Sequence, residues 1–140
     1  MENREKILVS ACLLGEPCRY DGQSVPNAGV KALAESFELV PACPEQLGGL
    51  PTPRVPCELR PDGRVIDRNG LDRTEAFRAG AAAALEIARA NGCMRAVLKE
   101  NSPSCGVTAV YAGTFTGRLV PGEGMTAATL RRAGVLVEGA

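Results

Sequence analysis

Short apolar runs separated by segments rich in glycine and proline make up the pattern of this chain. Four of the runs are brief and rich in β-branched residues, which is typical of buried strands. These four runs lie at residues 6–11, 37–42, 95–100 and 135–139. Three other segments have the spacing of helices: 28–36, 72–91 and 125–134. The chain therefore alternates between strands and helices.

This alternation predicts a parallel sheet with right-handed crossovers. We expect a single doubly wound, Rossmann-like α/β domain over residues 1–140. The longest helix should start at Asp72, with Glu75 completing a capping box, and stop at Gly92. The stretch 43–63 is dense in proline and glycine and is expected to be a long functional or disordered loop. Residues 64–68 fit a small strand or hairpin arm.

Three cysteines stand just after predicted strands, in turns of small residues. Cys12, Cys43 and Cys105 each follow the carboxyl end of a strand. In a doubly wound sheet, ligands lie beyond these ends, and neighbouring strands are only about 4.8 Å apart. Three loops could therefore place three thiols around one small object. Ordinary buried packing is the alternative for any one of them.

Thiolates bind soft metals and iron–sulfur clusters, and three protein ligands leave a coordination position open for chemistry. Cys18 is a possible fourth ligand or a nearby thiol, since it follows Cys12 closely in "CLLGEPC". We interpret Cys57 and Cys93 as structural because neither stands at the end of a predicted strand.

The amino-acid composition further limits the partners and the reactions that are possible for this chain. The 140 residues carry 16 basic and 16 acidic side chains and no histidine, so the chain has no net charge to attract a nucleic-acid polymer or an anionic membrane. Proton transfer must then rely on carboxylates, lysines, tyrosines or thiols. No apolar leader or membrane-length run is present in the sequence, and the six cysteines fit a reducing compartment. We expect a cytoplasmic protein.

The same strand-end loops carry polar candidates. Glu45 lies two residues after Cys43 and is a candidate general acid, with a solvated loop carboxylate as the alternative. Four further residues could position a substrate, or they could simply stabilise turns and ion pairs. Arg54 could bind an anionic group of the substrate. The substrate-binding candidates are Lys99, Ser102, Ser104 and Asp21.

Three segments together carry a family resemblance: "VSACLLGEPCRYDG", "PACPEQLGGLPTPR" and "LKENSPSCG". They resemble the thiouracil desulfidase family, and the likeness continues through "DRTEAFRAGA" and "GEGMTA". The resemblance implies that Cys12, Cys43 and Cys105 bind a 4Fe-4S cluster in which one iron has no protein ligand.

The activity implied by this resemblance is removal of sulfur from a thiolated pyrimidine, such as 2-thiouracil, without net redox change. The free iron would act as a Lewis acid on the thiocarbonyl sulfur, and water would replace the sulfur, which leaves as hydrosulfide. The resemblance assigns proton transfer to Glu45 and positioning of substrate or water to Ser104. The substrate could be a free base or a nucleotide, and the enzyme a monomer or a homodimer.

Two other classes of function fit the cysteines. A closed site completed by Cys18 would favour a cluster- or zinc-binding module without catalysis. A thiol redox protein using Cys12 and Cys18 is the other alternative, although the chain has no Cys-x-x-Cys pair.

Overall fold

The computed structural model describes residues 4–140 and contains eight strands and four α-helices in that part of the chain. The strands are β1 (Lys6–Ser10), β2 (Glu38–Ala42), β3 (Cys57–Leu59), β4 (Val65–Asp67), β5 (Arg95–Leu98), β6 (Ala109–Tyr111), β7 (Leu119–Pro121) and β8 (Leu136–Gly139). The helices are α1 (Ala28–Ala32), α2 (Pro44–Leu47), α3 (Thr74–Ala90) and α4 (Met125–Arg132). Short 3-10 turns follow β1, at Ala11–Leu14, and α1, at Leu33–Glu35.

The four predicted strands form one parallel sheet in the order β2-β1-β5-β8. Side chains of β1 alternate between its two faces, so Leu8 packs on one side and Ile7 and Val9 pack on the other. The Leu8 face is covered by α3 and α4 through Ala88 and Leu130. The opposite face packs against α1. Helices on both faces confirm the predicted doubly wound α/β fold.

The strand order places β1 between β2 and β5. The chain moves from β1 outward to β2 and then crosses back to β5, so its winding direction reverses at β1. Ser10 pairs with Ala42 in register, and Val9 pairs with Val97. The carboxyl ends of these three neighbouring strands therefore meet at one edge of the sheet, which is where the fold class places ligands.

Two antiparallel hairpins add to this layout. β3 pairs with β4, and β6 pairs with β7. The expected loop at 43–63 therefore contains both α2 and β3, and the strand predicted at 64–68 is β4. The β6–β7 hairpin was not predicted, because its strands are three residues long and lie among glycines, threonines and prolines.

The capping box predicted for the long helix is wrong. The Oδ1 atom of Asp72 accepts hydrogen bonds from the backbone N–H and the hydroxyl of Thr74, at 2.8 and 2.5 Å, ahead of the first helical turn. Glu75 instead forms an exposed ion pair with Arg78. The predicted end is confirmed, since Gly92, with a φ of 68°, follows the C-cap residue Asn91.

Within residues 4–140, no helix is both long and apolar enough to cross a bilayer. Residues 1–3, part of the N-terminal segment in which no leader is expected, lie outside the described residues.

Two glycines let α2 and α3 approach closely. A Cβ atom on Gly80 would collide with the carbonyl of Pro44, and one on Gly48 would collide with the carbonyl of Ala76. The contact fixes α2 against the long helix. Because α2 begins directly after Cys43, this backbone contact also fixes the position of the Cys43 turn.

We predict that Gly80→Ala destabilises the protein. Helix propensity alone would stabilise this variant by about 1 kcal/mol, but crowding against the Pro44 carbonyl should cost about 2–3 kcal/mol, the upper part of the usual range for overpacking. The net loss is then about 1–2 kcal/mol. Urea unfolding followed by circular dichroism measures the change. Ala79→Gly, at the exposed neighbouring position, is the control. Its free energy of unfolding should fall only by the difference in helix propensity, about 1 kcal/mol. A Gly80→Ala variant more stable than the parent would contradict the close contact.

Candidate functional site

A cavity of about 370 Å³ opens beyond the carboxyl ends of β1, β2 and β5. Its walls come from the three strand-end loops and from the two hairpins. Its polar, charged and thiol-bearing lining residues are Ser10, Cys12, Cys18, Arg19, Tyr20, Cys43, Glu45, Arg54, Cys57, Glu58, Arg68, Lys99, Glu100, Asn101, Ser102, Cys105 and Tyr111.

The three cysteines predicted to converge all line this cavity, and Cys18 lines it with them. Cys12 lies in the 3-10 turn after β1, and Cys43 occupies the position directly before α2. Cys105 follows β5 by seven residues. All four side chains are free thiols, and Cys43 is the most exposed of them. The sheet thus brings thiols that are distant in sequence to one place.

Three of these thiols affect one another's ionisation. Cys18 lies between the other two: hydrogen bonding from its thiol lowers the pKa of Cys12, whereas donating that bond raises the pKa of Cys18 to about 11. The pKa of Cys43 is raised by its hydrogen bond to Cys18 and by burial. Cys12 is therefore the thiol best prepared to exist as a thiolate, the form that binds metals.

Cys105, in the loop after β5, is also buried. Burial raises the pKa of Cys105 to about 12, although hydrogen bonds from the hydroxyls of Ser10 and Ser104 oppose that effect. Only 5% of the residue is exposed. A metal centre would have to supply the positive charge that ionises this thiol.

In the described part of the chain, no three cysteine or carboxylate side chains are grouped so that they could hold one metal ion. Three thiolates on a single zinc would lie about 3.8 Å from one another, given tetrahedral geometry and Zn–S bonds near 2.3 Å. The described cysteines that face this cavity form no such group. A cluster of several irons holds its thiolates farther apart.

Glu45 enters the cavity from the first turn of α2. Its Oε1 atom accepts a hydrogen bond from Nε of Arg54 at 3.0 Å, in an ion pair that leaves the arginine side chain only 5% exposed. The same guanidinium donates to the carbonyl of Cys18 at 2.9 Å and to Thr52 Oγ1 at 2.9 Å. Arg54 therefore joins the acid to the Cys18 loop, and its donors are occupied by protein groups rather than directed at an anion.

The two serines before Cys105 have different positions. Ser102 lines the cavity, and its Oγ accepts hydrogen bonds from the backbone N–H groups of Ser104 and Cys105, each at 3.0 Å. Ser104 is absent from the cavity lining; it is 1% exposed and its hydroxyl pairs with that of Thr126 at 2.7 Å. Contact with a substrate is therefore open to Ser102, whereas the catalytic role expected of Ser104 stays an untested prediction.

The other two substrate-binding candidates, Lys99 and Asp21, differ in whether they line the cavity. Lys99 lines the cavity, and its Nζ donates to the carbonyl of Glu100 at 2.9 Å. Asp21 lies outside the cavity lining, where its Oδ1 accepts from the backbone N–H of Gln23 in a turn closed by Gly22. The structure thus brings Lys99, but not Asp21, to the site.

The fold and the cavity residues match those of a known protein family. The model of the 2-thiouracil desulfurase family matches residues 7–139. The chain belongs to that family. The family resemblance carried by the cysteine motifs is therefore confirmed.

Two relatives cover nearly the whole chain. A solved structure described as the 4Fe-4S-dependent thiouracil desulfidase TudS (DUF523) has a TM-score of 0.90 and 48% sequence identity, and the match covers 97% of this chain and 91% of that one. A protein named "Uncharacterized protein YbbK" from Bacillus subtilis (strain 168) is 41% identical over 94% of this chain and 93% of its own length.

Sequence reasoning missed several residues that line the site of this desulfurase-family member. Cys57 lines the cavity although it was interpreted as structural, and burial raises its pKa to about 12. The β6–β7 hairpin contributes Tyr111 and Phe115. Glu58 orders the tip of that hairpin by accepting from the backbone N–H groups of Gly113 and Phe115 at 2.9 and 3.1 Å. No sequence pattern marks a carboxylate that binds loop amides so far along the chain.

Glu100 shapes the loop that carries Cys105. Its Oε1 atom accepts from the backbone N–H groups of Val107, Thr108 and Ala109 at 2.7, 2.9 and 3.4 Å. Burial raises the pKa of Glu100, but these hydrogen bonds outweigh burial, so the pKa is lowered overall. The ionised carboxylate therefore closes a loop that has little regular secondary structure.

We predict that Glu100→Gln lowers the free energy of unfolding at neutral pH by about 1–2 kcal/mol, since hydrogen bonds to a charged group are weakened. A lowered folded pKa means that the stabilisation is complete above the unfolded value of about 4.3. It is lost as pH falls through the folded pKa. Urea unfolding of both proteins across an acidic series should show a difference that is constant near neutrality and narrows in acid.

Glu86→Gln, at an exposed position of α3, is the matched control and should leave stability unchanged. A difference between wild type and Glu100→Gln that persists undiminished in strong acid would contradict the role given to the ionised carboxylate.

Proposed function

We propose that this chain is a 4Fe-4S-dependent desulfidase that converts a thiolated pyrimidine, with 2-thiouracil as the first candidate, and water into the oxo pyrimidine and hydrosulfide. The observation that carries the proposal is the meeting of Cys12, Cys43 and Cys105 with Glu45 at one cavity, in a chain of the 2-thiouracil desulfurase family. The TudS neighbour, with the same fold, is described as depending on such a cluster.

The residues present fit a cluster by the chemistry of their donors. The cavity offers sulfur ligands, the chain has no histidine, and the described residues form no group that could hold a single ion. Cys12, Cys43 and Cys105 would hold the cluster from three adjacent strand ends. When bound through three thiolates, it would supply an iron with an open position that acts as a Lewis acid on the thiocarbonyl sulfur.

Glu45 supplies the proton chemistry in this proposal. The guanidinium of Arg54 holds Oε1 of this carboxylate at 3.0 Å. Among the described residues, the other oxygen, Oε2, accepts no hydrogen bond. The carboxylate can therefore take a proton from the water whose oxygen replaces sulfur at the pyrimidine carbon. It can then return that proton to the product side, so that the sum of the reaction is hydrolysis.

The rest of the cavity suits a flat heterocycle. Ser102 holds two backbone N–H groups with its lone pairs and keeps its own hydroxyl proton for a pyrimidine oxygen or nitrogen. Tyr20, Tyr111 and Phe115 provide aromatic surface on the cavity wall. A volume of about 370 Å³ lies within the usual range of small-ligand sites. We infer a small molecule as the partner and the cytoplasm, where thiols stay reduced, as the location.

The alternatives have less support. A zinc module requires ligands close around one ion, and the described cysteines do not offer them. Thiol redox chemistry could use the thiols of Cys12, Cys18 and Cys43, which line the same cavity, and it would require an added electron donor or acceptor for each turnover. Desulfidation by hydrolysis requires neither.

An anaerobic screen tests the proposal. Reconstituted protein is incubated with 2-thio and 4-thio pyrimidines, as bases and as nucleotides, without any redox partner, and thiocarbonyl absorbance and free sulfide are followed. Loss of absorbance with matching sulfide release is the expected result. Protein that binds about four irons and turns over none of these compounds would favour the non-catalytic module.

Removing a cluster ligand should abolish iron binding. We predict that Cys12→Ser, Cys43→Ser and Cys105→Ser each lose the bound iron and the activity together, as measured by iron and sulfide analysis. Cys93→Ala is the matched control, because Cys93 is buried in the core away from the cavity. Cys18→Ser should retain iron, and loss of iron in that variant would make Cys18 a ligand.

Glu45→Gln should retain the cluster and slow turnover by about 10²–10⁴-fold, the range for a lost acid–base group. Glutamine keeps an oxygen acceptor for Arg54 but cannot carry the proton. Turnover and absorbance of the loaded protein are measured side by side, with Glu35→Gln at an exposed position as the control. An unchanged rate would remove Glu45 from the mechanism.

A further inference from the structure

Among residues 4–140, two residues other than glycine have a positive φ, and both line the cavity. They are Asn101, with a φ of 71°, and Phe115, with a φ of 55°. Asparagine tolerates this left-handed conformation, whereas a bulky aromatic residue rarely adopts it. Strained backbone of this kind persists where the surrounding structure holds it, and it clusters at functional sites. Phe115 is therefore the residue whose conformation calls for an explanation.

The fold holds Phe115 in this conformation. Residues 112–118 connect β6 to β7, and the backbone N–H of Ala112 closes this loop by donating to the carbonyl of Arg118 at 2.9 Å. Glu58 reaches the loop from β3, and its Oε1 accepts from the backbone N–H groups of Gly113 and Phe115 at 2.9 and 3.1 Å. Hydrogen bonds to a charged acceptor are stronger than neutral ones. The backbone is thus fixed by the protein before any ligand binds.

An arginine lies against one face of the Phe115 ring. The guanidinium carbon of Arg68 is 5.7 Å from the ring centroid, within the range of a cation–π interaction. Arg68 lines the cavity as well, and Phe115 is half-buried, so the protein does not enclose the phenyl ring. Because a ring has two faces, the arginine leaves the second face for another flat group.

Ordinary packing under an arginine does not account for the strain. Phe37 is also half-buried, and the guanidinium carbon of Arg95 lies 5.6 Å from its ring centroid. Phe37 is absent from the cavity lining, and it is not among the residues with a positive φ. A phenylalanine can therefore pack against an arginine in this protein without strain. The strained conformation occurs where the phenylalanine belongs to the cavity wall.

We propose that Phe115 stacks on the pyrimidine ring of the substrate, with Arg68 on the other face of the phenyl ring, and that Glu58 is the positioning residue that holds Phe115 there. The inference rests on the proposed function, because it takes the ligand to be a pyrimidine. Stacking depends on the flat π-face that every nucleobase has. The wall would then accept 2-thio and 4-thio pyrimidines alike and discriminate against saturated rings.

The test uses uracil and 5,6-dihydrouracil as probes. Both compounds carry the same carbonyl and N–H groups and neither contains sulfur, but only uracil is flat and conjugated. Equilibrium dialysis against reconstituted protein measures the two dissociation constants without turnover. Wild type should bind uracil more tightly than dihydrouracil. Phe115→Leu keeps an apolar side chain without the stacking, so uracil should bind about 2–10-fold more weakly, with little change for dihydrouracil.

Two further variants serve as rescue and control. Phe115→Tyr keeps the aromatic ring and should retain the preference for uracil. Phe37→Leu is the matched control, since it removes a ring that packs against an arginine away from the cavity, and the preference should not change. In turnover, Phe115→Leu should raise KM for 2-thiouracil and leave kcat nearly unchanged, because stacking stabilises bound substrate and transition state alike.

A double variant tests the role of Glu58. Glu58→Gln retains an oxygen acceptor but loses the charge, and it should reduce the preference for uracil. Adding Glu58→Gln to Phe115→Leu should reduce it no further, because both changes act on the same contact. A further loss in the double variant would contradict positioning through Phe115.

The outcomes separate this inference from the proposed function. Wild type that prefers uracil, with the preference lost in Phe115→Leu, but that releases no sulfide from any thio-pyrimidine would contradict the proposed function alone. Active wild type that binds both probes equally, or binds neither, would overturn the stacking role without the need for any variant. A Phe115→Leu protein with the wild-type preference would overturn it as well.

Discussion

Parallel pairing of β1 with both β2 and β5 is the constraint on which the site depends. β1 hydrogen bonds along its length to strands on both sides, and the pairs Ser10–Ala42 and Val9–Val97 bring the three strand ends level. Each thiol then needs only a short turn to reach the common edge. A shift of one residue in either ladder would also exchange the two faces of a strand, because side chains alternate. The buried core on both faces therefore holds the register, and the register holds the cysteines.

Which features could be predicted from the sequence depended on how local the signal for each feature is. The central strands and the end of α3 were predictable because buried β-branched runs and a glycine with positive φ leave marks within a few residues. The start of α3 was not, because Asp72 and Glu75 each had several possible local partners: Asp72 binds Thr74, and Glu75 pairs with Arg78 at the surface. The roles of Arg54 and Ser104 depend on side chains distant in sequence. Arg54 fits an anion-binding residue by type, but in the fold it links Glu45 to the Cys18 carbonyl.

Carboxylates replace regular secondary structure around the cavity. Glu58 binds amides of the β6–β7 hairpin, Glu100 binds amides of the Cys105 loop, and Asp67 binds the amides of Asn69 and Leu71. Such bonds are stronger than neutral ones because the acceptor is charged. This explains how long segments rich in glycine and proline can form rigid walls. It also explains why many acids near the site are structural, which leaves Glu45 as the carboxylate available for proton transfer.

The thiols that face the cavity are not equivalent, and their differences indicate how a bound centre would be oriented. Cys105 is buried, and Glu45 is among the charged groups that act on its thiol. Cys43 is the most exposed, lies next to Glu45 in sequence, and its Sγ approaches the carbonyl of Cys18 at 3.6 Å. The acid–base group Glu45 therefore lies near the most exposed of these thiols, where it could deliver or accept a proton. A carboxylate in this place, rather than the number of thiols alone, would distinguish a site for hydrolysis from a closed electron-transfer site.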